Sequence, residues 1–485
     1  IFLLIIIFIV VGSISNLSKE KDIKVESNSV LAIDLDHAIL ERGSKNPFQQ
    51  LDYSQMRNTK SLGLNEITRA IEYAATDDNI SAIYIEPGLI NTSWASIEEI
   101  RNSLIRFKES GKPIITYSEI FTQKAYYLTQ ISDKIYINPE GYFDLRGLSS
   151  QLVFFKGALS KLDIQAQIIR HGKFKSAVEP FTNDKMSPEN KEQYQDMLNS
   201  LWNLYVNSTS KNRNISVDSI NKWADNISVR TSADALRFGL VDGIMYKDEV
   251  LDYLKSLTKT EKNIDNLPAV KLTQYAKSPN IKTQKYNSDQ IAVIYAVGEI
   301  RSGQGSETII GSERIASSLR SARINKNIKA VVLRVNSPGG SALASEVIWR
   351  EVELLKKEKP IVVSMSDLAA SGGYYIACGA NKIFAQPNTL TGSIGVFGMM
   401  FNLGNFFKNK LGVTTDIVQT NKYADMPNLT RQLTPFELNI LQMQVEKIYD
   451  TFIQRVADGR NMSIENVEKI AQGRVWSGID AKNIG

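Results

Sequence analysis

The 485 residues are more than one ordinary core accommodates and suit two domains of roughly 200 residues each, with a linker between them. An apolar fraction of 43% beside 22% charged residues is that of a globular chain and excludes wholesale disorder, while a net charge of +5 without a long basic run argues against nucleic acid as a partner. One cysteine, Cys378, cannot close an internal disulfide, and two histidines, His37 and His171, form no cluster with metal-ligand spacing, so zinc, thiol and Ser-His-Asp mechanisms are all disfavoured.

In chain order, the first element is the apolar run IFLLIIIFIVVG, and residues 1–16 are expected to be a transmembrane or signal-anchor segment. The run is shorter than the roughly 20 residues a bilayer span takes. Because the chain opens on isoleucine rather than methionine, the span is expected to continue upstream. A cleaved signal peptide ending near GSIS and a buried core strand are the alternatives.

The rest of the chain is an internal repeat spaced by about 247 residues. DDNISAIYIEPG (77–88) answers NKNIKAVVLRVNSPGG (325–340), and SPENKEQYQDMLNSLWNLYV from Ser187 answers TPFELNILQMQVEKIYDTFI from Thr434. Each copy alternates β-branched runs of strand length, such as AVVLRV and PIVVSM, with amphipathic stretches such as ALASEVIWREVELLKKE, which predicts βαβ units, parallel strands and an α/β class. Thr434, Pro435 and Glu437 form a capping box that starts a long helix, and Ser187-Pro188 opens its counterpart. The expected division is a first repeat domain at 28–255, a polar linker at 256–289 and a second repeat domain at 290–485. The first copy continues into KDEVLDYLKSL where the second stops at WSGIDAKNIG, so the chain is expected to be cut before its last elements.

Catalysis in a duplicated fold is expected where the copies differ. The second copy has NSPGGS where the first has EPGLINTS, and the consecutive Gly339 and Gly340 let backbone N–H groups face an oxyanion. It also has AASGG, which puts Ser371 ahead of Gly372 and Gly373, whereas the first copy has no serine around Gln123-Lys124. A serine in a tight strand-to-helix turn exposes its hydroxyl and offers the next N–H, that of Gly372, as a second oxyanion donor.

NSPGG, SDLAASGGYY, TGSIGVFG and, in the first copy, GKFKSAVEPF together resemble the long, duplicated form of signal peptide peptidase A, a relative of the Clp protease and crotonase folds. The resemblance implies a serine protease without a cofactor, in which Ser371 is the nucleophile, Lys175 the general base and Ser393 of TGSIG an orienting group for the lysine. It further implies two tandem Clp/crotonase-like domains, a homotetramer, a bacterial inner-membrane anchor with the catalytic part on the outer side, and remnant signal peptides as substrates. Lysine can replace histidine as base because desolvation lowers its pKa by several units. Lys173, two residues before Lys175, and Lys422 of KYADMPNL, at the equivalent place in the second copy, are the competing bases. A non-proteolytic membrane scaffold and an acyl-CoA enzyme of the crotonase type are the competing functions.

Overall fold

A computed structural model describes residues 25–43, 62–258, 267–278, 281 and 288–485, with the backbone of 51–52 and 57–58. The segment 1–16, expected as an anchor, lies outside the described residues. Among the described residues no helix is long and apolar enough to cross a membrane.

The chain forms two compact units. Of the described residues, one unit gathers those in 25–92, 99–145 and 227–281, the other those in 93–98, 146–226 and 288–485. Compact units and sequence copies are therefore different divisions of the chain, because residues 146–226 of the first copy fold with the second. In the first unit the strands lie in the order Gly243–Ile244, Lys134–Phe143, Ile114–Phe121, Ile80–Glu86, Ser29–Asp34 and Ala269–Lys271, all parallel. The last of these, with the short helix Leu272–Tyr275, comes from the stretch expected as linker. In the second unit the order is Gln290–Val297, Ile328–Ser337, Ile361–Ala370, Leu390–Gly392 and Val475–Ser477. The last pair is antiparallel and the others parallel. The α/β class expected from the alternating β-branched and amphipathic runs is what both sheets show.

The duplication is visible element by element. Leu64–Thr76 and Ser312–Ile324 are both 13-residue helices N-capped by a glycine, and Trp94–Lys108 and Ala342–Lys356 are both 15 residues long. Pro188–Arg213 and Pro435–Arg460 are both 26 residues, capped by Ser187 and Thr434 and ended by Asn214 and Asn461 at φ 55° and 54°. Thr434 accepts from the Glu437 N–H while the Glu437 carboxylate accepts from the Thr434 N–H, the capping box that the sequence predicts. Behind the second unit's sheet, Leu319, Val331, Leu333, Ile348, Val352 and Val363 form one buried cluster, which fixes the strand ends that carry the site.

Candidate active site

Strand Ile361–Ala370 runs directly into Ser371, which N-caps the helix Gly372–Cys378 at φ 54° and ψ −120°. An L-residue rarely occupies that region, and it persists here because both sides of the turn are pinned. The Ser371 N–H donates to the Gly392 carbonyl at 2.9 Å, and the Ser371 carbonyl accepts from the Tyr375 N–H at 2.9 Å. A Cβ on Gly373 would lie 2.7 Å from the Ser337 carbonyl oxygen, which leaves room only for glycine. The NSPGG loop lies against the same turn. Gly339 (φ 101°) comes so near that a Cβ on it would be 2.6 Å from the Gly372 nitrogen and 2.8 Å from the Ser371 Cβ. Gly339, Gly340 and Gly372 all border the same cavity as Ser371, and the Gly339 N–H donates to Ser337 Oγ at 3.1 Å.

Lys175 arrives from the other copy. The strand Gln165–His171 pairs antiparallel with Val396–Asn402, and the chain then turns through Gly172 into a short 3-10 helix at Ser176–Val178. That pairing brings Lys175 Nζ within 3.1 Å of Ser371 Oγ, 2.9 Å of Ser393 Oγ and 2.9 Å of the Ser393 carbonyl oxygen. The side chain is 3% exposed, and burial lowers its pKa from 10.5 to about 7. Near neutrality much of it is therefore a neutral amine with a lone pair able to take the hydroxyl proton of Ser371. Ser393 sits at φ 51° and donates its N–H to the Arg474 carbonyl at 2.6 Å. All six residues singled out in the sequence, Lys175, Gly339, Gly340, Ser371, Gly372 and Ser393, thus meet in the second unit.

A further group was not legible from the motifs. A Cβ on Gly473 (φ 81°) would lie 2.7 to 2.8 Å from the N, Cα and Cβ of Lys175, so the turn that carries it abuts the lysine backbone. The Phe174 N–H donates to the Gln472 carbonyl at 2.9 Å, and Gly473 gives its own N–H to the Ile394 carbonyl at 2.8 Å. Arg474 completes the clamp: its guanidinium lies over the rings of Phe174 and Trp476 and pairs with Glu192 and Asp196. Counting back from the equivalent N-caps Thr231 and Ser477, the first copy has Ile227 where the second has Gly473, so a difference between the copies did mark the position.

The competing candidates lie elsewhere. Lys173 and Lys422 are exposed, with their Nζ atoms over the neighbouring Phe174 and Tyr423 rings, and neither borders the cavity. His171 stacks on Tyr449 with ring centres 3.9 Å apart. Cys378 is buried, donates to the Tyr375 carbonyl at 3.2 Å, and burial pushes its thiol up to about 12, away from the reactive thiolate. Among the described residues no cluster of His, Cys, Asp or Glu could hold a metal ion. The Ser371–Lys175 pair opens on a cavity of about 950 Å³ whose walls include Ile169, Leu368, Met399, Leu441, Val445 and Phe452, a lining that suits an apolar peptide segment.

The description of peptidase family S49 matches residues 106–261 and 353–485, more than half of the chain and the stretches that carry both Lys175 and Ser371. The chain belongs to peptidase family S49. Over its whole length it is 34% identical to Protease 4 of Salmonella typhi, covering 80% of that protein. It is 35% identical to the chloroplastic serine protease SPPA of Arabidopsis thaliana over 90% of this chain and 64% of that one. A shorter stretch, 36% of this chain and 50% of its relative, is 37% identical to a putative signal peptide peptidase SppA of Enterococcus faecium. This S49 member is a serine protease of the duplicated, two-domain form.

Proposed function

We propose that the chain is a membrane-bound serine endopeptidase working through a Ser371–Lys175 dyad and acting on remnant signal peptides. The observation that carries the dyad is the buried Lys175 Nζ at 3.1 Å from Ser371 Oγ, without which the serine has no base. Neutral Lys175 takes the Ser371 proton as Oγ attacks the peptide carbonyl, and Ser393 holds the amine in line. The N–H groups of Gly340 and Gly372 receive the oxyanion, since that of Gly339 is already engaged by Ser337. The lysine ammonium then returns its proton to the leaving amine, and a water activated by the same nitrogen hydrolyses the acyl-enzyme.

The substrate reading rests on the apolar walls of the cavity and on the Enterococcus relative named as a putative signal peptide peptidase. The apolar segment at 1–16 supports an anchor in the bacterial inner membrane with the catalytic part on its outer side. The Clp/crotonase-like pedigree and a homotetrameric assembly follow from the resemblance in the NSPGG, SDLAASGGYY and TGSIGVFG motifs. The test is hydrolysis of a fluorogenic peptide with an apolar P1 residue by detergent-solubilised protein beside Ser371→Ala and Lys175→Ala. Both variants are expected to fold and to lose at least a thousandfold in kcat/KM. Cleavage that survives Ser371→Ala sinks the dyad, and a parent inert toward a broad panel of peptides leaves the scaffold as the better account.

A further inference from the structure

The short strand Glu299–Arg301, which runs past the glycine loop, carries two charges that the dyad does not use. Ile300 at its centre is fully buried and bonds the loop on both sides: its N–H donates to the Gly339 carbonyl and its carbonyl accepts from the Ser341 N–H, each at 2.8 Å. A Cβ on Gly340 would lie 2.1 Å from the Ile300 carbonyl oxygen, so the strand sits as close to the loop as glycine permits. Side chains alternate along a strand, which sets Glu299 and Arg301 together on the face opposite Ile300. Of the described residues that line the cavity in front of Ser371, only Lys175 and Glu299 carry a charge.

Both charges are confined to the copy that holds the nucleophile. Ser29 and Gln290 open equivalent strands, donating their N–H groups to the carbonyls of Asn79 and Asn327. Leu40 and Arg301 bridge in parallel to Gly63 and Gly311, the glycine N-caps of the two 13-residue helices. The two landmarks give the same alignment, which matches Ala38 to Glu299 and Leu40 to Arg301, so the fold needs no charge at either position. Glu299 Oε2 accepts from Arg301 Nε at 3.1 Å and from Nη2 at 2.6 Å, while Oε1 has no hydrogen-bond partner among the described residues. The side chains are 51% and 59% exposed, and so solvated a pair contributes little. A second cation, held at the cavity by a bound peptide, can therefore share the carboxylate or take it over.

We infer that Glu299 selects peptides whose apolar segment is flanked by a lysine or arginine, its carboxylate pairing with that cation while the apolar residues fill the cavity. This rests on the protease reading above and deepens it by giving the substrate a second required feature. Export signals have that composition, a positively charged stretch directly before an apolar one. One carboxylate at the rim of an apolar cavity matches both parts. Arg301 is then an internal competitor that tempers the preference.

The test uses peptides with an apolar core and blocked termini, cleaved by the detergent-solubilised full chain. One position at a time, on either side of the scissile bond, holds lysine or its uncharged counterpart norleucine. At one position the lysine peptide is expected to exceed its norleucine partner about three- to tenfold in kcat/KM, and the excess to shrink at high salt. Glu299→Gln is expected to bring that ratio to about one, and Glu299→Lys to turn it in favour of glutamate at the same position. Arg301→Ala is expected to raise the ratio above the parent's, because the competitor is gone. Opposite shifts from two neighbouring residues separate recognition from a general loss of fold. Equal rates for lysine and norleucine at every position, or a preference that Glu299→Gln leaves intact, overturn the inference while the protease stands. A parent that cleaves none of the peptides overturns the protease reading and this inference with it.

Discussion

A solvated lysine holds its proton at neutral pH, and the chemistry of this site depends on Lys175 losing it. Burial alone brings the pKa to about 7. The active form is the neutral amine, so kcat/KM is expected to rise with pH through about 7 and level off above it, which a pH–rate profile on a peptide without ionisable groups would check. The same shift is a cost to folding. The native pKa lies below the unfolded value of 10.5, so between these the unfolded chain binds a proton that the native one lacks, and stability climbs with pH across that window. Below pH 7 both states hold the proton and the full penalty, about 5 kcal/mol, is present. Lys175→Met is therefore expected to be inactive yet to melt higher than the parent, more so at pH 6 than at pH 9. At this scale the sequence was informative where chemistry is written in the side chain: Ser371 stands before two glycines at a strand end, and the first copy has no serine there. Gly473 escaped because it stands alone, outside the paired-glycine motifs, and only its replacement by Ile227 in the first copy marks the position.

Elements were legible where they carry their own signals. The caps at Ser187 and Thr434, and Pro188 and Pro435 just inside them, predicted the starts of both 26-residue helices. The turn through Gln472, Gly473 and Arg474 holds Lys175 by shape. In Gly473→Ala the new methyl meets the lysine backbone and φ 81° becomes strained at a cost of about 1–3 kcal/mol. Its kcat is expected to fall at least tenfold with KM changed less than threefold, because the apolar side chains that line the cavity, such as Leu441, Val445 and Phe452, are left in place. The midpoint of its pH–rate profile is expected to move as well, which a loss of stability alone would not produce. Steady-state kinetics across pH, with thermal melts of the same samples, separates the two effects.

Across the whole molecule, the repeat revealed which elements recur but not which sheet each joins. Residues 146–226 belong to the first copy by sequence and to the second copy's compact unit by contact, and that exchange assembles the site. One copy supplies the amine and the other the hydroxyl, so the duplication works as a pair of unlike halves. Similarity between repeats records shared local structure, and the long-range pairing of Gln165–His171 with Val396–Asn402 has no local signature. The claim on which the account depends is that these two distant residues act as one unit. The most direct measurement is the rate at which an acylating serine-protease inhibitor labels the protein, with the adduct located by peptide mass, in the parent and in Lys175→Ala across pH 5 to 9. The account predicts a single adduct on Ser371, forming faster as pH rises through about 7, and essentially none in Lys175→Ala. Labelling of a different residue, or of Ser371 at the same rate and pH dependence without Lys175, would contradict it.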